Sequence, residues 1–299
     1  MYRRLLVPLD GSHLAEAALP AARRLAEKLG ASLTLLHVIE RDAPERIHHD
    51  RHLTSAEEAT AYLEDTARRL LPGVSVQTHV HTAAVTDVVG SLLDHSREME
   101  PDLIVLCTHG RTGPREFLYG SIAQQVVAHG EVPVLLVRPG PPPPEDLLSG
   151  PIVAPLDAEP PHARALPTAV ELARPFGVSI WLVMVVPTTS TLVGAEAATA
   201  RLLPAATRAV LDIDQESAEA YLRERAAELR SSDVDVDIEV LRGDPPAEIV
   251  RMAERISAGL IVMGVHGALG TRAFWDRSVP PKVSGHTSIP VLLIPIRER

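Results

Sequence analysis

Two stretches of the chain repeat one order of features, and this repeat limits the possible folds more than any other property of the sequence. Residues 103–137 run from an apolar segment through a glycine-containing polar loop to a serine, a helix-like segment, a proline and a second apolar segment. Residues 260–294 follow the same order. Gly110 precedes Ser121, and Gly267 precedes Ser278, by the same 11 positions. The spacing indicates a tandem repeat rather than a coincidence.

Apolar segments alternate with helical patterns in both repeats, which predicts an α/β fold. Residues 5–9 and 32–39 are predicted strands, and a helix over 13–29 lies between them with Gly30 at its end. Such strand–helix–strand units form parallel sheets with right-handed crossovers. Further helices are predicted over 54–71, with Thr54 as the cap, and over 216–229. We therefore expect two tandem, doubly wound, parallel five-stranded sheets of the Rossmann-like type.

The loop of the first repeat has the composition of a phosphate-binding loop. A helix start offers unpaired N–H groups and the positive end of the helix dipole, and Ser121 is predicted to be the helix N-cap. Glycines let a ligand approach the backbone, and arginines add positive charge; these residues are Gly110, Arg111, Gly113, Arg115 and Gly120. The alternative interpretation is an ordinary strand–loop–helix turn.

An aspartate follows the first predicted strand of each repeat. These residues are Asp10 and Asp157. Ligands of open α/β sheets bind outside the carboxyl ends of the strands, so Asp10 is placed to hydrogen-bond a ligand. A helix N-cap is an equally good interpretation of Asp10 from the residue alone.

At these residues the sequence resembles the universal stress protein family, over nearly the whole chain and as two tandem domains. The family's ATP-binding members carry Gly-x2-Gly-x9-Gly-(Ser/Thr) and an aspartate after the first strand. The first half has Cys107-x2-Gly110-x9-Gly120-Ser121, and the second has Gly264-x2-Gly267-x9-Arg277-Ser278. Cys107 replaces one glycine by a small residue. Arg277 replaces the glycine next to the phosphates and should obstruct their approach, which favours the first half as the nucleotide site.

The resemblance implies ATP as the ligand, with Mg²⁺ as a candidate companion, and it implies two sets of contact residues. The first set is Pro8, Leu9, Asp10, Val38, Cys107, His109, Gly110, Arg111, Gly120, Ser121 and Ile122. The second, degenerate set is Leu156, Asp157, Gly264, His266, Gly267, Arg277 and Ser278.

Four consecutive prolines mark the predicted boundary between the halves. They lie within residues 140–150, which we interpret as a stiff linker between a first domain at 1–139 and a second at 151–299. The segment 187–230 is longer than its counterpart, which predicts an added helical turn or a flap.

Composition excludes several classes of function. The net charge of −10 does not suit sequence-independent binding of nucleic acid. No apolar stretch is long enough to cross a membrane, and the N-terminus lacks the apolar segment of a signal peptide. Cys107 is the only cysteine, so no intrachain disulfide forms, and we expect a cytoplasmic protein.

No catalytic or metal-binding pattern stands out. The chain lacks the P-loop and the GxGxxG fingerprint. His109 and His266 each precede a loop glycine, which favours a loop-shaping role over general base catalysis. The run His48-His49-Asp50-Arg51-His52 matches no closed metal site and reads as a polar loop, so no protein metal site is expected.

Three functions remain open from the sequence. The first is a nucleotide-dependent stress sensor or adaptor without enzymatic activity, the second is a weak ATPase on the same site, and the third is an interaction module without nucleotide. The last strands, residues 134–137 and 291–294, follow prolines and look like edge strands. By the resemblance they are dimer contacts, so we expect them to pair within one chain, and two chains to form a symmetric homodimer.

Overall fold

The structure, a computed structural model, describes residues 2–108, 121–140, 148–266 and 278–296. The first half contains β1 (Arg4–Pro8), α1 (Leu19–Leu29), β2 (Ser32–Glu40), β3 (Arg46–Ile47), β4 (Asp50–Arg51), α2 (Ala56–Leu70), β5 (Val76–Val85), α3 (Val88–Met99), β6 (Leu103–Cys107), α4 (Ser121–His129) and β7 (Val134–Val137). The second half contains β8 (Ile152–Pro155), α5 (Leu166–Phe176), β9 (Ile180–Val186), α6 (Gly194–Leu202), α7 (Pro204–Leu229), β10 (Val236–Arg242), α8 (Pro245–Arg255), β11 (Leu260–His266), α9 (Val279–His286) and β12 (Val291–Ile296).

Ten strands form one continuous sheet. Their order is β10-β9-β8-β11-β12-β7-β6-β1-β2-β5, so each half contributes five adjacent strands, as predicted. Every described pairing within this sheet is parallel except that of β7 with β12, which is antiparallel. The predicted pairing of the last strands within one chain is therefore confirmed, and the two sheets become one.

Helices cover both faces of the sheet, and this explains the apolar strands. All five residues of β6 are buried, as expected for a strand between two helical layers. One core cluster contains side chains of α1, α2, α5 and α7, and the other contains side chains of α3, α4, α8 and α9. Each cluster includes residues of both halves, so the hydrophobic core does not stop at the boundary between the repeats.

Several predicted boundaries were wrong by a few residues. The cap of α2 is Ser55, whose side chain accepts a hydrogen bond from the Glu58 N–H, and not Thr54. Residues 13–18 do not begin a regular α-helix, because Ala15–Ala18 is a 3₁₀ helix that precedes α1. Gly30 does end α1, with a φ of 64°. The structure gives α4 from Ser121 onward, and because the residues before it lie outside the described ranges, Ser121 as the N-cap stays a prediction.

The longer segment of the second half forms two helices. The predicted helix over 216–229 is only the end of α7, which begins at Pro204 and has 26 residues. Leu211, Ala218 and Leu222 of α7 are buried. Large apolar side chains are nevertheless exposed in this segment, namely Val193, Leu202, Leu203, Val210 and Ile213. The predicted linker lies largely outside the described residues, and the predicted domain limits stay predictions.

We predict that Leu135→Ala destabilises the whole chain. Leu135 of β7 pairs with Leu292 of β12 and is only 2% exposed. Loss of its side chain leaves a cavity at the joint of the two halves, which should cost about 2–5 kcal/mol in a urea unfolding measurement. Val193→Ala is the control, because Val193 is 78% exposed. A change below about 0.5 kcal/mol for both variants would contradict the prediction.

Candidate functional site

The strand order creates a crevice at the carboxyl end of β1. The chain continues from β1 to β2 on one side, whereas β6 lies on the other side. Such a reversal of strand order is where open α/β sheets bind ligands. Pro8 ends β1, Cys107 ends β6, and α4 begins at Ser121 after the intervening loop. The second half repeats this arrangement with β8, β11 and α9.

Asp10 holds the turn after β1 through one carboxylate oxygen. Its Oδ1 accepts hydrogen bonds from the Ser12 backbone N–H at 2.9 Å and from the Ser12 hydroxyl at 2.6 Å. Ser12 Oγ in turn accepts from the Ala15 N–H. Asp10 Oδ2 lies 3.8 Å from His48 Nε2. The N-cap interpretation of Asp10 is thus wrong, because the first helical turn begins at Ala15 and its N-cap is Leu14, while Asp10 Oδ1 closes a turn with Ser12. A ligand contact would fall to the rest of the carboxylate.

The β3–β4 hairpin packs against this turn. His48 and His49 at its tip have φ angles of 51° and 76°. Asp50 accepts hydrogen bonds from the backbone N–H and the ring Nδ1 of His13, which lower the pKa of the Asp50 carboxyl. The sequence predicted a polar loop at residues 48–52, but only His48 and His49 form a turn there, since Asp50 and Arg51 pair with β3 as strand β4. The contact with Asp10 is a tertiary feature.

His37 is a residue of this region that the sequence did not reveal. It is 1% exposed, and its Nδ1 donates to the Leu9 carbonyl at 2.8 Å. Burial is the main cause that lowers the pKa of His37, so the ring is neutral near pH 7. It fixes the backbone of Leu9, one of the predicted contact residues. In the sequence, the only sign of this role is that a histidine lies within an apolar predicted strand.

Cys107 ends β6 at the first crevice, and its side chain is a thiol rather than a thiolate. It is buried, and burial followed by the negative charge of Asp10 raises its pKa to about 12. A redox-active cysteine needs an exposed thiolate, so this environment opposes that role. Val38, also predicted as a contact, is 7% exposed.

A cavity of about 380 Å³ occupies the crevice of the second half. The sequence favoured the first half, yet this cavity lies among the residues of the degenerate set. Its lining is mostly apolar, with one aspartate, and consists of Pro155, Leu156, Asp157, His162, Val183, Val185, Pro245, Ile249, Met263, Gly264, Val265, Ser278, Val279 and Pro280. Its volume is typical of the smaller ligand pockets.

Gly264 lies at a tightly packed position of the second half. A Cβ at this position would lie 2.4 Å from Ile296 Cδ1 and 3.2 Å from the backbone of His162. The 3₁₀ turn His162–Ala165 therefore packs directly on β11. Cys107 stands at the corresponding end of β6.

Asp157 and His162 form a pair at the edge of the cavity. His162 Nδ1 donates to Asp157 Oδ1 at 2.7 Å, and the Glu159 N–H donates to the same oxygen at 3.1 Å. Burial raises the pKa of the Asp157 carboxyl, but these hydrogen bonds and the charge of His162 outweigh it, so the pKa lies below its ordinary value. Asp157 thus differs from Asp10, whose Oδ1 is occupied by a serine.

The helices that follow the two loops differ in the donors they offer. Ser278 is the N-cap of α9, but its side chain makes no capping hydrogen bond. Pro280 and Pro281 follow in the first turn of α9, and proline has no N–H group. The first turn of α4 contains no proline. The sequence contained this signal, which the analysis of glycines alone overlooked.

The structure brings together the described part of the first predicted set at one crevice: Pro8, Leu9, Asp10, Val38, Cys107 and the start of α4. The predicted contacts His109, Gly110, Arg111, Gly120, Gly267 and Arg277 lie outside the described residues.

The family model of universal stress proteins matches residues 1–138 and 149–295. The chain belongs to the universal stress protein family. Universal stress protein YxiE of Bacillus subtilis (strain 168) is 30% identical over 152 residues, which make up 46% of this chain and 100% of YxiE. One half of this universal stress protein therefore corresponds to a whole relative.

Two solved structures are similar to this chain over nearly its full length. A universal stress protein from Archaeoglobus fulgidus DSM 4304 has a TM-score of 0.68 at 18% identity, with 98% of this chain and 96% of that chain covered. A Pseudomonas aeruginosa PAO1 protein of unknown function has a TM-score of 0.66 at 17% identity, with 99% and 93% covered. These likenesses confirm the α/β fold. No helix within the described ranges is long and apolar enough to cross a membrane.

We predict that His162→Ala raises the pKa of Asp157. The folded pKa is depressed, so the pair stabilises the protein above the unfolded carboxyl pKa of about 3.9, and this stabilisation is lost as the pH falls through the folded pKa. The stability difference between wild type and variant should therefore shrink on acidification. Carboxyl NMR titration measures the pKa directly, with His129→Ala as a control. An unchanged Asp157 titration would refute the assignment.

Proposed function

We propose that this universal stress protein binds ATP in its first half and uses the bound nucleotide to change its associations in a stress response. The proposal is carried by one observation. The turn held by Asp10, the end of β6 and the start of α4 meet at the crevice where the strand order reverses. The single cysteine suits a reducing compartment, so we propose the cytoplasm as its location.

The phosphate end of the proposed site is the start of α4. Four N–H groups at a helix start lack intrahelical partners and attract anions together with the helix dipole. In α4 these groups are all present, whereas Pro280 and Pro281 remove two of them from α9. The sequence adds positive charge before α4 with Arg111 and Arg115. The larger number of N–H donors at the start of α4 thus supports the first half as the phosphate site, independently of the argument from Arg277.

The nucleoside end of the proposed site is formed by the carboxyl ends of β1 and β2. A carboxylate suits the two hydroxyl groups of a ribose, because it accepts hydrogen bonds on both oxygens. Asp10 is half-buried there, next to the buried Val38. Mg²⁺ would arrive with the triphosphate, since no three described His, Cys, Asp or Glu side chains form a ready metal site.

We propose binding without efficient turnover. A general base must reach the attacking water. Asp10 Oδ1 is already bonded to Ser12, and the neutral His37 is bonded to the Leu9 carbonyl. Accumulation of ADP with purified protein, lost in an Asp10 variant, would instead support the weak ATPase.

The second half is a second candidate site because of its cavity. The 380 Å³ space beside Asp157 is apolar enough to hold a base or a similar flat ring. With fewer helix N–H groups and with Arg277 in the loop, this site suits a nucleoside better than a triphosphate.

We predict about one ATP per chain in freshly purified protein. The nucleotide is released by denaturation and counted by mass spectrometry. Asp10→Asn, which keeps an acceptor for Ser12, should reduce the count, and Gly120→Arg should abolish it by copying the second loop. Asp157→Asn is the matched control and should leave the count unchanged.

Other numbers of ATP molecules per chain would change the proposal. About two ATP per chain would mean that the second half also binds a triphosphate despite its prolines and Arg277. No nucleotide, with none taken up in titration calorimetry, would favour the interaction module. Full nucleotide content in Gly120→Arg would remove the first loop as the phosphate site.

We propose that two chains form a symmetric homodimer through another surface than β7 and β12. These strands are already paired within the chain. The exposed apolar residues of α6 and α7, among them Leu202 and Ile213, offer a contact surface. Light scattering should show twice the 32.2 kDa mass of one chain, and Ile213→Glu should lower it. A 32.2 kDa species at all concentrations would refute the dimer.

A further inference from the structure

The cavity of the second half lies where two helix starts meet the sheet. Residues from the first turns of both α8 and α9 line it. Apolar side chains of β9 and β11 also line it, among them Val183 and Met263, which are both buried. Asp157, which follows β8, is a lining residue with a side chain that is 55% exposed, so a ligand can reach it from solvent. We call this space the second-half cavity.

Both helix starts at the second-half cavity carry prolines in place of N–H donors. α8 starts with Pro245 and Pro246, and α9 has Pro280 and Pro281 after Val279. Proline has no N–H group, and the N–H groups of the first turn carry the positive end of the helix dipole. Pro245 and Pro280 themselves line the cavity. Neither helix start therefore offers the full set of N–H groups that binds a phosphate.

The first half shows that the fold does not require these prolines. α3 occupies the place of α8 in the order of elements, and α4 occupies the place of α9. α3 begins with Val88 and Val89, and α4 begins with Ser121 and Ile122, so all four residues keep their N–H groups. The prolines are thus a property of the second half alone, and they change the charge of the ligand that its crevice can take.

Carboxylates further oppose an anion in the second-half cavity. Asp244 caps α8, where its side chain accepts a hydrogen bond from the Ala247 N–H. Asp157 is ionised at pH 7, because its hydrogen bonds outweigh the burial that would raise its pKa. Its Oδ1 accepts from His162 and from the Glu159 N–H, whereas its Oδ2 accepts no hydrogen bond from the described residues. One acceptor oxygen is left for a donor on a ligand.

The balance of charge around the cavity favours a cation. His162 and Asp157 are the one base and the one acid among the described lining residues. Asp244 stands directly before the lining Pro245, and the backbone of Glu159 bonds to Asp157, so two further carboxylates lie beside this pair. A phosphate would face these carboxylates without helix N–H groups to compensate. A cation would be attracted by them.

We propose that the second-half cavity binds a flat aromatic ring that carries a cationic amine or amidine head, and that it excludes phosphate esters. The ring lies against the apolar side chains of β9 and β11, and the head donates a hydrogen bond to Asp157 Oδ2. Such charge-assisted bonds are stronger than neutral ones. The volume of about 380 Å³ is in the range of pockets that hold small ligands. This inference rests on the second candidate site named above and does not depend on ATP in the first half.

The test uses three probes that share a naphthalene ring and differ in the charge of the head. They are 2-naphthamidine, a cation, 2-naphthylmethanol, a neutral donor that stands for uncharged ligands such as nucleosides, and 2-naphthyl phosphate, an anion. Each is titrated calorimetrically into tag-free, nucleotide-free protein at an ionic strength of about 0.15 M, which screens exposed surface charges. We expect one 2-naphthamidine per chain, binding of the alcohol weaker by roughly 10-fold or more, and no binding of the phosphate.

Three variants locate the bound probe. Asp157→Asn keeps an acceptor for His162 but removes the charge, and it should weaken 2-naphthamidine binding by roughly 10–100-fold. Val185→Phe fills part of the cavity from a half-buried lining position on β9 and should abolish binding without changing the carboxylate. Asp10→Asn is the matched control in the first crevice and should leave the titration unchanged.

The outcomes separate this inference from the proposed ATP site. Equal 2-naphthamidine binding by Asp157→Asn and the wild type, phosphate or alcohol binding as tight as that of the amidine, or no binding of any probe would overturn the inference. The ATP count per chain should fall in Asp10→Asn and not in Asp157→Asn, which is the reverse of the amidine titration. A chain that holds ATP but binds no amidine would contradict this inference alone, and a chain that binds the amidine without any ATP would contradict only the proposed function.

Discussion

The antiparallel pairing of β7 with β12 is the contact on which the rest of the structure depends. Each strand is the last of its half, and alone each would leave a row of unpaired N–H and C=O groups at an apolar edge. Val134, Leu135 and Leu136 pair with Leu293, Leu292 and Val291. The pairing turns two small sheets into one and makes both core layers continuous. It also leaves β5 and β10 as the outer edges of the sheet.

The two halves share a backbone plan but have diverged in chemistry at each crevice. In the first half a serine and a neutral histidine hold the turn and backbone around Asp10, and Cys107 ends β6. In the second half His162 holds Asp157, Gly264 lets a turn pack on the sheet, and a cavity opens. The two crevices differ although the surrounding strands and helices correspond, because different side chains stand at the ends of those strands.

Most of the architecture could be predicted because its signals are local. Apolar strands alternate with helical patterns, and glycines such as Gly30 end helices at a φ that other residues avoid. The predicted helix boundaries were wrong where neighbouring residues are equally good helix caps. Thr54 and Ser55 are both good caps, and only the position of Glu58 selects Ser55. The start of α7 was missed because its first 12 residues are largely exposed and lack a clear apolar face.

The sequence by itself determined the repeat, the fold class, the family resemblance and the internal pairing of the last strands. The repeat and the fold class follow from spacing and periodicity, which act over a few residues at a time, and the strand pairing is what the family resemblance implies. Only the tertiary structure decided which side chains meet. His48 reaches Asp10 across 38 positions, Arg69 reaches Glu16 across 53, and His81 of β5 contacts His95 of α3. Contacts of this kind depend on how separate segments pack on one sheet, and no local pattern encodes that distance.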